Sequence, residues 1–198
     1  MAVRGKITID QVTRKEFANS KVFQNLAYGA AKKKAESLKK KTIDEFNQHE
    51  VTKELERGTS GRNSQLLGGR GNFFGFLGFA QGDRPVEIVR GILEQKINLK
   101  NKKGKLKKLT KTTFQWDFDI KIPEPVDIFS VTPMAWSSKS WVRGVEKGIT
   151  NYAKTIFKDT DRSRSGVAIQ TKKNVGFITF TPTPYITALL EKLRREIK

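Results

Sequence analysis

GGRGNFFGFLGFAQG, residues 68–82, decides how the rest of this chain is interpreted. It sets four phenylalanines within seven residues among glycines, between segments dense in lysine and glutamate. Each phenylalanine removes ~150–250 Å² from water when it finds a partner surface. Glycine lets the backbone turn tightly or approach another backbone closely. The stretch therefore predicts an architectural loop or hairpin whose aromatic side chains need a surface to cover them.

Three other uses of such a stretch fail on its residues. A phosphate-binding loop needs a lysine directly after its last glycine, and no lysine lies between Lys53 and Lys96. The dinucleotide fingerprint needs a third glycine, and Phe74 stands there instead. The uncharged run is about half the length of a membrane span. A single Gly-Arg-Gly also lacks the repetition of an arginine–glycine RNA-binding segment.

The composition predicts a folded, strongly basic protein. The chain has 198 residues, 36% of them apolar, with 13 Phe and 3 Trp, which suits one domain with a core and polar extensions. Lys and Arg number 39 against 20 Asp and Glu, so the net charge is +19. Such a charge attracts nucleic acid, and an acidic protein partner is the alternative.

The same composition excludes several classes of protein. The absence of cysteine excludes disulfides, thiolate nucleophiles and Cys-ligated zinc. The first twelve residues lack the apolar core of a signal peptide, and no run approaches the ~20 apolar residues of a membrane span. The sequence therefore predicts a soluble product of the cytoplasm with no membrane partner.

Periodicity and turn residues predict an α+β fold in a single domain over 1–198. We expect a long N-terminal helical arm over 14–57, broken near Asn47–His49 and ended by Gly58. A small, mostly antiparallel sheet flanked by helices should follow the Gly/Phe-rich segment 58–82. The remaining predicted elements are a helix capped by Asp83 with Pro85 in its first turn, strands at 114–120 and 126–131, a helix over Trp136–Phe157, strands at 166–172 and 175–180 joined by a turn at 172–174, and a helix from 184 to the end.

A lysine-rich segment, 98–108, has turn residues at Asn101–Gly104 and is predicted to be a basic hairpin tip. It is either a solvated loop or an electrostatic arm that contacts DNA or an acidic partner without reading base sequence. No helix-turn-helix, RNA-recognition signature or zinc finger accompanies it. The residues assigned to this DNA- or acidic-partner-facing group are Lys96, Lys100, Lys102, Lys103, Lys105, Lys107 and Lys108.

Catalytic chemistry has few candidate residues. His49 is the only histidine and stands where the first helix breaks, so a cap or a surface position is favoured over catalysis. Asp117 and Asp119 share one face of a predicted strand and could bind a metal, but Lys121 continues that face and favours a solvated surface. The sequence therefore predicts no catalytic residue, no metal site, no cofactor and no enzyme activity.

The segment from Phe46 to Phe79 resembles neck proteins of bacteriophages with contractile tails. Their pattern has a His-x-Val-Thr-x-Glu-Leu/Ile segment, an Asn-x-Ser pair and a Gly-Gly-x-Gly-Asn-Leu/Phe-Phe-x-Phe-Ile/Leu-Gly-Phe core. Gln65 and Leu66 depart from it, since a glycine and a small residue are expected there. The matching residues are Phe46, His49, Val51, Thr52, Glu54, Leu55, Asn63, Ser64, Gly68, Gly69, Gly71, Asn72, Phe73, Phe74, Phe76, Leu77, Gly78 and Phe79. Near the end of the chain Gly166, Gln170, Lys172, Phe180, Tyr185 and Ile186 also fit.

This resemblance implies a structural protein of the virion, assembled in the host cytoplasm and placed at the head–tail connection. It implies a closed ring, commonly of six subunits, around the DNA channel, in contact with other neck, connector or tail proteins. Alternatives are a tail terminator that caps the tail tube and sheath, or a non-virion protein that binds nucleic acid without sequence preference. The residues assigned to the subunit interface are Asn72, Phe73, Phe74, Phe76, Leu77 and Phe79, with the chain's own core as the alternative location.

Overall fold

The computed structural model describes residues 16, 19–69, 71–102, 104–109, 114–134, 137–148, 155–157, 168–170, 180 and 182–197. Within them lie seven α-helices and four two-stranded antiparallel ladders, so the predicted α+β class is confirmed. The chain divides into two compact units. Residues 1–39 and 97–121 form what we call the basic unit, and residues 40–96 and 122–198 form the core unit. The single domain over 1–198 stays a prediction.

Most of the helices are short, and every ladder has only two strands. The helices are α1 Lys21–Gln48, α2 Glu50–Glu56, α3 Phe73–Phe76, α4 Pro85–Lys96, α5 Pro125–Phe129, α6 Trp141–Lys147 and α7 Ile186–Ile197. The strands are β1 Asn98–Leu99, β2 Lys105–Leu109, β3 Phe114–Asp117, β4 Ile120–Lys121, β5 Pro133–Met134, β6 Ser137–Ser140, β7 Thr155–Phe157 and β8 Ala168–Gln170. The ladders pair β1 with β4, β2 with β3, β5 with β6, and β7 with β8.

The lysine-rich segment of the basic unit is one side of a long hairpin. The β1–β4 ladder pairs 98–99 with 120–121, and the β2–β3 ladder pairs 105–109 with 114–117, so the two ladders run in succession. Asn101, Lys102 and Gly104 belong to an insertion between the two ladders. The predicted hairpin tip at 98–108 is corrected accordingly, because antiparallel pairing continues well beyond the turn residues at 101–104.

Phe118 fixes the geometry of that insertion. A Cβ atom on Gly104 would lie 2.7 Å from Cζ and 2.9 Å from both Cε atoms of the Phe118 ring, so only glycine fits without movement. On helix α1, the Tyr28 ring lies 6.1 Å from that of Phe118. From 116 to 121 the even positions are half-buried and the odd positions exposed, which confirms the predicted period of two there. Asp117 and Asp119 are on the exposed side, as a solvated face requires.

Helix ends in the core unit follow local capping rules. His49 separates α1 from α2 and accepts the N–H of Val51 at 3.2 Å, which confirms the predicted break. Gly58 follows α2 with φ +57°, as predicted for a helix-ending glycine. Pro85 begins α4, but Asp83 does not cap it, since its carboxylate accepts the N–H of Ala80 at 2.8 Å instead.

Two sequence predictions in this unit are wrong for local reasons. Residues 126–131 were expected to be a strand, yet Pro125–Phe129 is helix α5. A capping box between Glu124 and Asp127 and proline at the first helical position outweigh the β-branched residues. Of the helix predicted over Trp136–Phe157, the described residues are helical at Trp141–Lys147, whereas Ser137–Ser140 and Thr155–Phe157 are strands. Ser140 caps the start of the helix, and Gly148 has φ +88° at its end.

The last part of the chain agrees with the sequence where it is described. Residues 168–170 form strand β8, within the predicted 166–172. Helix α7 spans Ile186–Ile197, and Glu146 accepts both the N–H and the hydroxyl of Thr187 in its first turn, at 2.6 and 2.7 Å. The strand predicted at 175–180 and the turn at 172–174 lie outside the described residues, except for Phe180.

Candidate functional site

The Gly/Phe-rich segment is more compact than the extended loop or hairpin that its sequence predicts. Gln65–Leu67 is a turn of 3-10 helix, and Phe73–Phe76 is one turn of α-helix. Between them Gly68, Gly69 and Gly71 have φ values of +68°, +79° and +67°. L-residues rarely adopt that conformation, so glycine is favoured at each of these three positions.

The phenylalanines pack inside this chain's own core unit. Phe73, Phe74 and Phe76 are 2%, 2% and 0% exposed, and Leu77 and Phe79 are also buried. The ring of Phe79 meets Trp141 edge-on at 6.1 Å, and that of Phe73 stacks on Phe180 at 6.0 Å.

Their assignment to a subunit interface is therefore corrected: the structure shows the alternative, own-chain packing. Side chains already removed from water have almost no surface left to cover a neighbouring subunit. Asn72 is half-buried, and its side chain is engaged within the same segment.

A buried carboxylate holds the start of the segment. Glu54 on α2 is 6% exposed, and its carboxylate accepts the Ser64 hydroxyl, the N–H of Gln65 at 2.8 Å and the N–H of Leu66 at 3.3 Å. These amides belong to the first turn of the 3-10 helix, where no intrahelical acceptor exists. Glu54 thus satisfies donors that the fold would otherwise bury without a partner.

An amide holds the other end. Oδ1 of Asn72 accepts the N–H of Gly75 at 2.6 Å and caps α3, while Nδ2 donates to the carbonyl oxygens of Gly58 and Gly61. Ser64 and Gly71 join the two ends, since the N–H of Ser64 donates to the Gly71 carbonyl at 3.2 Å. We call Glu54, Ser64 and Asn72 with their backbone partners the carboxylate–amide network.

A second polar link joins α2 to the approach of α7. The hydroxyls of Thr52 and Tyr185 lie 2.7 Å apart in the interior, and Nε2 of His49 lies 3.1 Å from the Pro184 carbonyl oxygen. Since Nδ1 of His49 accepts from Val51, the ring is neutral and donates through Nε2. Desolvation lowers the pKa of His49, against the raising effects of the Pro184 hydrogen bond and Glu50. Burial also raises the pKa of Tyr185 far above its ordinary value.

Through these contacts, several residues that match the neck-protein pattern stabilise the fold of the core unit. Sequence reasoning missed the tasks of Glu54 and Tyr185, although one signal was present. Glu54 shares a face of α2 with Val51 and Leu55, at helical spacing, so an acidic residue had to be buried there. A buried carboxylate needs several donors, and Ser64 with the following amides supplies them.

A cleft of about 280 Å³ opens beside the segment, within residues 55–90 of the core unit. Leu55, Phe74, Pro85 and Val86 line it together with charged side chains. Its arginines are already paired: Arg84 with Glu87 at 3.1 Å, and Arg90 with Glu56 and with Asn47. This pairing leaves no excess of positive charge to bind an anion in the cleft.

The predicted DNA-facing lysines do not form one group. Lys96 ends α4 in the core unit and pairs with Asp127 at 2.8 Å. Lys100, Lys102 and Lys105 are exposed in the hairpin of the basic unit. Lys103 lies outside the described residues, and the backbone alone is described for Lys107 and Lys108 on β2.

Within the described residues, no group of three or more His, Asp or Glu side chains is placed to hold a metal ion. No helix in that part of the chain is long and apolar enough to cross a membrane. No family model, curated protein or solved structure matches the chain.

Proposed function

We propose that this chain is a structural protein of the neck of a contractile-tailed bacteriophage, where it forms a ring around the DNA channel at the head–tail connection. The observation that carries the proposal is the placement of the residues that resemble neck proteins. Glu54, Ser64 and Asn72 of that pattern meet in one network, and His49, Thr52 and Tyr185 meet in another. Residues that are scattered along the sequence pattern thus contact one another in the fold, which gives the pattern a structural reason.

The chemistry of the core unit suits an architectural protein. Its most distinctive polar side chains satisfy backbone groups and cap helices, and its cleft holds paired charges. A ring subunit needs a rigid body and surfaces that repeat around a closed symmetry axis. The carboxylate–amide network supplies the rigidity, and the ring contacts lie at surfaces other than the buried phenylalanines.

The basic unit suits a position on the path of DNA. Its 64 residues contain 17 Lys or Arg and 5 Asp or Glu, a net charge of +12, whereas the 134 residues of the core unit carry 22 and 15, a net charge of +7. Such a field attracts a polyanion without any need for base readout. This observation also favours the second candidate, a soluble protein that binds nucleic acid without sequence preference.

Immunogold microscopy of purified particles tests the proposal. An antibody raised against the chain should label the neck of the contractile-tailed virions whose genome encodes it. Light scattering and negative-stain images of the purified protein should show closed rings, alone or with connector or tail proteins. Gold label on the tail terminus would instead identify a tail terminator. A strict monomer that is absent from particles and binds duplex DNA would overturn the proposal in favour of the second candidate.

A further inference from the structure

The part of helix α1 that belongs to the basic unit, residues 21–39, carries lysines that no described acidic side chain pairs with. Residues 32–34 are three consecutive lysines, all exposed. Lys32 lies 3.8 Å from Glu36, one turn further on, whereas no ion pair or hydrogen bond engages the Lys33 or Lys34 side chain within the described residues. Successive helical residues differ by about 100°, so Lys33 points away from the buried Ala35.

In the hairpin of the same unit, Asp117 and Asp119 lie beside two of its described lysines, Lys105 and Lys100. Lys105 is directly opposite Asp117 in the β2–β3 ladder, and both are exposed. The backbone N–H of Lys100 donates to the carbonyl oxygen of Asp119, an exposed residue between β3 and β4. Opposite charges across a ladder attract each other and reduce the net field at that surface.

The kind of basic residue points to the kind of partner. The basic unit has 15 lysines and 2 arginines, and both arginines precede residue 15, whereas the core unit has 12 lysines and 10 arginines. Protein interfaces are enriched in arginine and depleted in lysine. Base readout likewise favours the bidentate guanidinium. Lysine acts as a flexible point charge, which is sufficient for phosphate oxygens in any sequence.

We propose that the basic unit binds the phosphate backbone of duplex DNA, and that Lys33 and Lys34 of α1 make the main contacts rather than the lysines of the hairpin. The choice of DNA as the polyanion rests on the proposed function, which places the chain around a DNA channel. The contact is electrostatic and independent of base sequence. This proposal assigns the main DNA contact to helix α1 and not to the lysines at 96–108.

Fluorescence anisotropy with labelled duplexes of two unrelated sequences tests this inference on the full chain. Each lysine–phosphate contact contributes about 0.9 to the slope of log affinity against log salt concentration. We expect both duplexes to bind equally, and K33Q/K34Q to lower the magnitude of the slope by about 1.8. The matched control K53Q/K147Q removes two exposed lysines of the core unit and should change the slope by less than about 0.5.

Three results would overturn the inference. One is a salt-dependence slope that falls as much in K100Q/K102Q as in K33Q/K34Q, which would mean that the hairpin lysines contact the DNA as well. Another is equal loss in the core-unit control, which would indicate a general charge effect. The third is displacement of the duplex by polyglutamate as readily as by unlabelled DNA, which would indicate an acidic protein partner. Circular dichroism confirms that each variant is folded, and immunogold labelling of the neck tests the proposed function independently of these lysines.

Discussion

The core unit and the basic unit are built on opposite physical principles. Nearly every apolar side chain that the structure shows as buried belongs to the core unit, where phenylalanine, tryptophan and tyrosine rings pack on one another. Among the apolar residues of the basic unit whose burial the structure describes, only Ala35 and Ile97 are buried, and Val22 and Leu26 are each 65% exposed. One unit is stabilised by burial, and the other displays charge. Aromatic and basic residues of this one chain therefore serve separate tasks.

The first prediction, with the greatest change in unfolding free energy, compares a leucine of the core unit with one of the basic unit. L77A removes a side chain that is 0% exposed and should cost about 2–5 kcal/mol of unfolding free energy, because a cavity remains. L26A, at a position 65% exposed in the basic unit, should cost less than about 0.5 kcal/mol. Urea unfolding of both variants measures the comparison. An equal loss of unfolding free energy in both variants would contradict the difference in burial between the two units.

The buried carboxylate gives the next effect. E54Q replaces an acceptor of three hydrogen bonds by an amide whose nitrogen cannot accept, and should cost about 2–3 kcal/mol. The control E87Q weakens the exposed pair with Arg84 and should cost less than about 1 kcal/mol. Unfolding midpoints in urea measure both. A near-neutral E54Q would show that the network is dispensable for the core unit.

A substitution in the hairpin should affect the basic unit alone. G104A places a methyl group against the Phe118 ring and should cost about 1–3 kcal/mol of local stability. Amide hydrogen exchange should increase at 98–100 and 114–121 and stay unchanged around Leu77. In F118A the obstructing ring is absent, so adding G104A to it should have little further effect. Additive costs of the two substitutions would contradict the steric explanation.

The smallest effect depends on pH and belongs to the core unit. The folded-state pKa of His49 lies below its unfolded value of about 6.5, so the unfolded chain binds the proton more readily. Stability is therefore fully present above pH 6.5 and decreases as pH falls toward the folded-state pKa, by at most about 1.4 kcal/mol per pH unit.

Urea midpoints between pH 5 and 8 measure this dependence. H49N keeps a residue that can cap α2 but cannot titrate, and it should lose the His49 contribution to the slope. An identical slope in H49N would assign the dependence to other groups.

Sequence reasoning succeeded where the cause of structure is local. The cap at His49, the glycine after α2, Pro85 at the start of α4 and the period of two near Trp116 are all effects of neighbouring residues. It failed where distant residues compete. Lys96 is close in sequence to the hairpin lysines, yet Asp127, 31 positions away, pairs with it.

The Gly/Phe-rich segment shows the same limit within the candidate site. Its glycines correctly indicated tight turns, and its phenylalanines correctly indicated a need for cover. The path of the chain, however, also depends on Glu54, which lies outside the segment and accepts the N–H of Gln65. Within the segment, the distant carbonyls of Gly58 and Gly61 accept from the Asn72 side chain. Composition shows that a surface is needed, but only the tertiary contacts show that the same chain provides it.

The tryptophans give each unit an optical signature of its own. Trp141 is 1% exposed in the core unit, with Phe79 and Tyr185 rings beside it, whereas Trp116 is half-buried in the hairpin of the basic unit. With Trp136 replaced by phenylalanine, the emission would have two overlapping components, one from the buried Trp141 and one, at longer wavelength and more accessible to quenchers, from Trp116. During a DNA titration, a soluble quencher would then reduce the emission of Trp116 in the hairpin much more than that of the buried Trp141.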